Sequence, residues 1–231
     1  MSVIACGDLH GEWGPINKLI NQKHPDIILQ CGDFGWWPHF HGKTGLGRGV
    51  FNQFGIKNGD TKIYWAQGNH ENMDDLDKYG YSITEVAPNI FYCPFGSTIT
   101  LPSGEVVMFC GGARSIDADS RIEGVSWWRQ EVITRQDFNH LLDEVSVPNI
   151  DIMISHTAPT SFIEAAKWDR YNVEKYRDSS TIALQTILEL YKPSRWFSGH
   201  FHNWKKMLVD GCRWESLTMP GDGTWWTYLD K

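Results

Sequence analysis

Eight residues able to bind metal or move protons recur along this 231-residue sequence in one grammar. Asp8 and His10, Asp33, Asn69 and His70, His156, and then His200 and His202 each follow a short apolar run, and most stand beside a glycine. Together they supply carboxylate oxygens, an amide oxygen and imidazole nitrogens. That mix suits Mn, Fe, Zn or Ni, whereas calcium takes oxygens only and structural zinc favours thiolates. Each part alone has an ordinary explanation: an Asp-x-His after a strand serves turns and caps, a lone His156 sits hydrogen-bonded in many cores, and Asn69 is common turn chemistry. His200 and His202 are alternate residues and share a face. The joint occurrence at strand ends is what points to a shared site.

The elements that must position these residues can be read from periodicity. Residues 27–35 run Ile-Ile-Leu-Gln-Cys-Gly-Asp-Phe-Gly, a strand buried on both faces that stops at Asp33. In open α/β sheets ligands bind at that carboxyl lip. Residues 2–6 form a similar strand ending at Asp8. Between the two, Ile16, Leu19 and Ile20 mark a helix face running toward His24. A strand-helix-strand unit makes the strands parallel neighbours and sets Asp8 beside Asp33.

Residues 36–59 read as a long glycine-rich loop with a short helix near 50–54, and residues 62–66 as a third strand ending at Asn69 and His70. A helix is expected over 73–79. From 83 to 110 short strands with turn punctuation replace the alternation, including a hairpin at 102–105, which reads as entry into a second sheet. A helix starts near Thr134 with Phe138, Leu141, Leu142 and Val145 on its buried face. Residues 151–155 deliver His156. Residues 179–191 form an amphipathic helix carrying Ile182, Leu184, Ile187, Leu188 and Tyr191, and 195–198 deliver His200. The tail from 204 to 229 reads as antiparallel strands, and no internal repeat or linker interrupts the chain.

Composition narrows the class. The length fits one domain spanning 1–231, and the 12 Trp argue for wide packed layers. A net charge of −7 with no Lys/Arg cluster disfavours a stable nucleic-acid complex. Five cysteines without a CxxC pair read as reduced core thiols of a cytoplasmic protein. The N-terminus lacks a basic segment and reads as a strand, not a signal peptide, and no apolar run suits a membrane.

Gly7-Asp8-Leu9-His10-Gly11, Gly32-Asp33, Gly68-Asn69-His70-Glu71, His156 and Gly199-His200-Phe201-His202 together resemble the five sequence blocks of the calcineurin-like metallophosphoesterase superfamily, in its bacterial and phage-type form. The resemblance implies a four-layer α/β/β/α sandwich of two mixed sheets flanked by helices. It implies two divalent ions, Mn first, with Fe, Zn or Ni also suited to the ligands. Asp8, His10 and His202 would bind one ion, Asn69, His156 and His200 the other, and Asp33 would bridge them. Hydroxide held by the ions would attack a phosphate ester, and His70 would stabilise the transition state or protonate the leaving oxygen.

One departure bears on substrate. Protein phosphatases of the superfamily continue the second block as Gly-Asp-x-x-Asp-Arg-Gly, but here Trp36 and Trp37 take the Asp and Arg positions. His70 then needs another orienting partner, and the phosphate clamp another source. Arg114, in the Gly111–Asp117 loop that such members share, is the candidate, with a surface ion pair as its alternative. Trp36-Trp37 reads either as a stacking rim or as a loop anchored by buried indoles, the glycines nearby favouring the second. His39 and His41 are not needed as ligands, and Trp127-Trp128 reads as core. The expected substrate is a small phosphodiester or nucleotide such as a 2′,3′-cyclic nucleotide. A serine/threonine-type protein phosphatase and a non-catalytic metal-binding member are the alternatives. The sequence specifies no oligomeric state.

Overall fold

The computed structural model describes residues 1–37, 55–144, 149–168 and 177–229. The expected helix at 50–54, His39, His41 and Val145 lie outside them. The chain begins with β1 (Val3–Cys6), α1 (Trp13–Lys23), β2 (Ile27–Gln30), β3 (Lys62–Ala66) and α2 (Met73–Leu76), which continues as a 3₁₀ turn at Asp77–Tyr79. Four strands follow: β4 (Thr84–Ala87), β5 (Ile90–Cys93), β6 (Ser97–Thr100) and β7 (Val106–Cys110). Then come α3 (Arg135–Glu144), β8 (Ile152–Ser155), α4 (Thr160–Ala166) and α5 (Ser179–Tyr191), and finally β9 (Arg195–Ser198), β10 (Lys205–Val209), β11 (Cys212–Ser216) and β12 (Trp226–Tyr228).

The strands make two six-stranded sheets, ordered β12-β1-β2-β3-β5-β4 and β10-β11-β9-β8-β7-β6. In each, four central strands are parallel and the two edge strands are antiparallel. Side chains alternate between faces, as a two-residue period requires. Ala5, Leu29, Phe109, Ile152 and Ile154 fill the space between the sheets. Ile4, Cys6 and Ile28 turn outward to meet Ile16, Leu19 and Ile20 of α1. On the other side Met153 and Trp196 meet Leu141 of α3, Phe162 of α4 and Leu184 of α5. The result is the expected α/β/β/α sandwich.

Local chemistry explains the helix ends. α1 stops where His24 enters the left-handed region at φ 46° and its N–H donates to the Ile20 carbonyl. α3 starts at a reciprocal pair: Thr134 N–H donates to Asp137 Oδ2 (2.8 Å) and Asp137 N–H to Thr134 Oγ1 (3.2 Å). Asp178 caps α5 in the same way with Thr181.

The tail pairs antiparallel as expected, β10 with β11 and β12 with β1, the last crossing back to the first sheet. Two expectations change. The second sheet begins at β6, not near residue 83, because β4 and β5 extend the first sheet beside β3. Leu142 and Ile182 are exposed. Adjacent helix positions lie about 100° apart, so when Leu141 faces the sheet Leu142 cannot. All five cysteines are buried and free, and among the described residues no helix is long and apolar enough to cross a membrane.

Ile154 is fully buried between the sheets, so Ile154→Ala is expected to destabilise the fold by about 2–5 kcal/mol. Urea unfolding should show a lower midpoint with an unchanged slope.

Candidate metal centre

Every parallel strand that ends in a reactive residue delivers it to the same rim. β1 leads to Asp8 and His10, β2 to Asp33, β3 to Asn69 and His70, β8 to His156, and β9 to His200 and His202. Asp8 and Asp33 are buried, at 0% and 1% exposure. Asp8 Oδ2 lies 2.8 Å from His202 Nε2 and 3.8 Å from His10 Nε2. Asp33 Oδ2 lies 3.6 Å from His10 Nε2, and Asp33 Oδ1 3.3 Å from His156 Nε2. His156 Nε2 also faces Asn69 Oδ1 at 2.9 Å, and the rings of His156 and His200 meet edge-on at 4.9 Å.

Potential ligand atoms lie within 4.8 Å of one another in three groups: Asp8, His10 and His202; His10, Asp33 and His70; and Asp8, Asp33 and His156. The first coincides with one expected ligand set. His70 therefore stands among the potential ligands as well as beside them. The donor set fits a divalent cation. His10 Nε2 and His202 Nε2 face each other at 3.2 Å, an approach in which at most one nitrogen can donate, beside carboxylates that water does not reach.

Main-chain groups hold the rim together. The Asp33 carbonyl accepts the N–H groups of Leu9 (3.0 Å) and His10 (2.7 Å), and Asp33 Oδ1 accepts that of His70 (2.8 Å). Both Asp8 oxygens accept His200 N–H, at 3.0 and 3.1 Å. Gly68 and Gly199 are required by close approach, since a Cβ on them would strike Asp33 Oδ1 and Asp8 Oδ1. His10, Asp33, His200 and His202 take positive φ of 47°, 52°, 68° and 47°, a conformation that side chains other than glycine adopt at a cost and that clusters at functional sites.

A further layer was not foreseen from sequence. Glu71 is buried and accepts Gly35 N–H (2.9 Å) and Gly68 N–H (2.5 Å), joining two site loops. Asn69 donates to Ser115 Oγ (3.0 Å), which donates to Glu131 Oε2 (2.9 Å), so the amide is fixed with its oxygen toward His156. His156 Nδ1 meets the Cys31 carbonyl at 2.8 Å, which places the ring proton there and aims Nε2 inward. Arg121 lies against His70, with its Nη2 3.0 Å from Nε2. Arg114, the arginine expected here, is exposed, and its N–H donates to Asp178 Oδ2 at 3.2 Å. Their sequence signals were slight: Glu71 adjoins His70, and Arg121 follows Asp117 by four positions. Trp36 is buried against Trp65, as an anchoring indole would be. Trp37 donates from Nε1 to the His70 carbonyl (2.9 Å), and its ring is 5.5 Å from that of the buried Trp128.

Charge sets the protonation pattern. Burial opposes ionisation of Asp33, but the charges of His156, His70 and His10 outweigh it and hold the carboxyl well below its ordinary range. Asp8 is lowered too: burial opposes it, and the His202 hydrogen bond and the His156 charge prevail. For His156, burial is overcome by Asp33, Asp8 and the Cys31 carbonyl, and its pKa rises to about 10. Burial takes His70 down to about 4 and His200 to about 3. Glu71 rises to about 8, from burial and then the Asp33 charge. Without a cation, the proton on His156 balances part of the buried negative charge, and a cation held there would take over that role.

A family model described as calcineurin-like phosphoesterase matches residues 1–204. Two curated relatives are lariat debranching enzymes. That of Schizosaccharomyces pombe is 25% identical over 223 residues, covering 87% of this chain and 48% of its own length. That of Gallus gallus is 23% identical over 239 residues, covering 87% and 42%. The chain thus spans about half the length of the curated relatives it matches. Among solved structures, the protein TT1561 of Thermus thermophilus is similar with a TM-score of 0.54 at 10% identity, covering 94% of this chain and 89% of that one. Phosphopantetheinyl hydrolase from Mycobacterium tuberculosis is similar at 0.52 and 14%, covering 99% and 95%. At these identities the likeness is one of fold.

The raised His156 contributes stability that is complete below its ordinary value of 6.5 and lost as pH rises through about 10. Glu71, raised from 4.5 to about 8, acts in the same direction. The melting temperature of chelator-treated protein is therefore expected to fall as pH rises above 6.5, and saturating Mn²⁺ to reduce the fall. A flat profile without metal would contradict this charge balance. Gly199→Ala is expected to lose about 1–3 kcal/mol through forced displacement of Asp8, with reduced metal stoichiometry on elemental analysis.

Proposed function

Because this chain belongs to the calcineurin-like phosphoesterase family, we propose that it hydrolyses a phosphodiester with the help of two divalent ions, Mn²⁺ foremost. Asp8, His10 and His202 would hold one ion and Asn69, His156 and His200 the other, with Asp33 shared. The observation that carries this reading is the convergence of buried Asp8 and Asp33 with His10, His156 and His202 at the carboxyl ends of strands from both sheets. Such ions neutralise phosphate charge and make water acidic enough to attack at neutral pH.

The chain's own groups do the rest. Asp8 and Asp33 stay ionised, and the Cys31 carbonyl and the Ser115–Glu131 pair orient His156 and Asn69. His70 stands at the edge of the cluster, its ring 5.0 Å from that of His10, where it would stabilise charge on the transferring phosphoryl group. The substrate we favour is a small diester or nucleotide, such as a 2′,3′-cyclic nucleotide. Relatives named for debranching lariats support a diester, and the net charge of −7 argues against a long nucleic acid bound by its backbone.

Mn²⁺-loaded protein is expected to hydrolyse bis(p-nitrophenyl) phosphate and 2′,3′-cyclic nucleotides, and to lose the activity on chelation and dialysis. Asp33→Asn and His156→Ala should each lower kcat by at least ~10²-fold, the scale of an electrostatic contact made in the transition state. Full activity after metal removal, or faster turnover of phosphopeptides than of diesters, would overturn the proposal.

A further inference from the structure

The segment between β7 and α3 contains three arginines; Arg129 pairs with Glu123, and the other two have different surroundings. Arg114 is exposed and adjoins Asp178. The Arg121 side chain is only 12% exposed and lies against the reactive rim. Its Nη2 is 2.9 Å from Asp117 Oδ1 and 3.0 Å from His70 Nε2. Its Nη1 is 3.4 Å from Ser115 Oγ and 3.3 Å from the Ser126 carbonyl. A 3₁₀ turn over Ala118–Ser120 brings Asp117 and Arg121 together.

We propose that Arg121 binds the phosphoryl oxygens of the substrate and fixes the tautomer of His70, with Asp117 steering the guanidinium. The inference rests on the phosphoesterase reading above and names a residue of that site. A guanidinium can only donate. His70 Nε2 must therefore accept, which leaves the single proton of the neutral ring on Nδ1. The main-chain N–H of His70 donates to Asp33 Oδ1 at 2.8 Å, which holds the residue beside the carboxylate expected to be shared by the ions. Arg121 forms no covalent bond and moves no proton. It supplies fixed positive charge where phosphate charge must be held, and the long Nη1 contacts to Ser115 Oγ and the Ser126 carbonyl, at 3.4 and 3.3 Å, are the ones a phosphoryl oxygen would replace. Arg121 thus supplies, from a different loop, the positive charge absent at Trp37, and it meets His70 in place of the carboxylate absent at Trp36.

The test compares wild type with Arg121→Ala, Arg121→Lys and Arg114→Ala in Mn²⁺-loaded protein of residues 1–231. Arg121→Ala is expected to lower kcat/KM for bis(p-nitrophenyl) phosphate by ~10²–10³-fold, with metal stoichiometry and melting temperature retained. Added guanidinium should restore part of the loss. Arg121→Lys should recover little, because a point charge lacks the fork. Arg114→Ala should lose less than Arg121→Ala. Two readouts do not depend on turnover. Calorimetry should show inorganic phosphate binding weakened at least tenfold in Arg121→Ala. ¹⁵N spectra of the diamagnetic Zn²⁺-loaded protein should show His70 Nε2 as an acceptor in wild type and changed in the variant. Unaltered kcat/KM and phosphate binding in Arg121→Ala would overturn the proposal, as would a loss fully explained by missing metal. An inactive wild type would remove the phosphodiesterase reading, and the phosphate titrations would then decide separately whether Arg121 holds an anion.

Discussion

Two carboxylates, Asp8 and Asp33, are buried at the seam between the sheets with almost no contact with water. A buried carboxylate is tolerated only when hydrogen bonds or opposite charge replace its hydration. Here the replacement comes from both sheets at once. Asp8 receives the His200 N–H and the His202 ring, delivered by β9 of the second sheet. Asp33 receives the His70 N–H from the loop after β3 and the His156 ring from the second sheet. The sandwich must close before either charge is satisfied, so the packing of Ile152, Ile154 and Phe109 against Ala5 and Leu29 is also what assembles the site.

Closeness of backbone follows from the same constraint. Gly68 and Gly199 leave no room for a Cβ beside the carboxylates, and four of the expected ligands are held in the left-handed region. Such conformations persist where surrounding hydrogen bonds over-determine them. Glu71 supplies two of those bonds, and the Asp33 carbonyl two more. Among the described residues, four of the nine non-glycine residues with positive φ lie in the site, the other five end helices or turn hairpins, and none lies within the strands that carry the ligands.

What could be read in the sequence was whatever local chemistry decides. Asp8, Asp33 and His156 stood out because a buried parallel strand is a continuous apolar run, and a polar residue at its end is conspicuous. The face of α1 was legible for a similar reason, through the spacing of Ile16, Leu19 and Ile20. The allocation of β4 and β5 to the first sheet was not legible, because a short hairpin looks alike in either sheet and only the parallel pairing of β5 with β3 assigns it. Leu142 and Ile182 misled because composition names apolar residues without saying how wide a face is covered. Arg121, Ser115 and Glu131 were missed for a third reason. They act through an irregular loop whose path depends on tertiary contacts, and nothing in the spacing of the more exposed Arg114 set it apart from Arg121.

The pairing of β12 with β1 carries a consequence for how the protein comes into being. Ile4 lies opposite Tyr228, so β1 is flanked by a strand synthesised 224 residues after it. Until those late residues emerge, β1 presents an open hydrogen-bonding margin, the kind of surface on which nascent chains stick to one another. Closure of the first sheet is thus a late event with a large loop to gather, which favours slow maturation and a place for chaperones during synthesis.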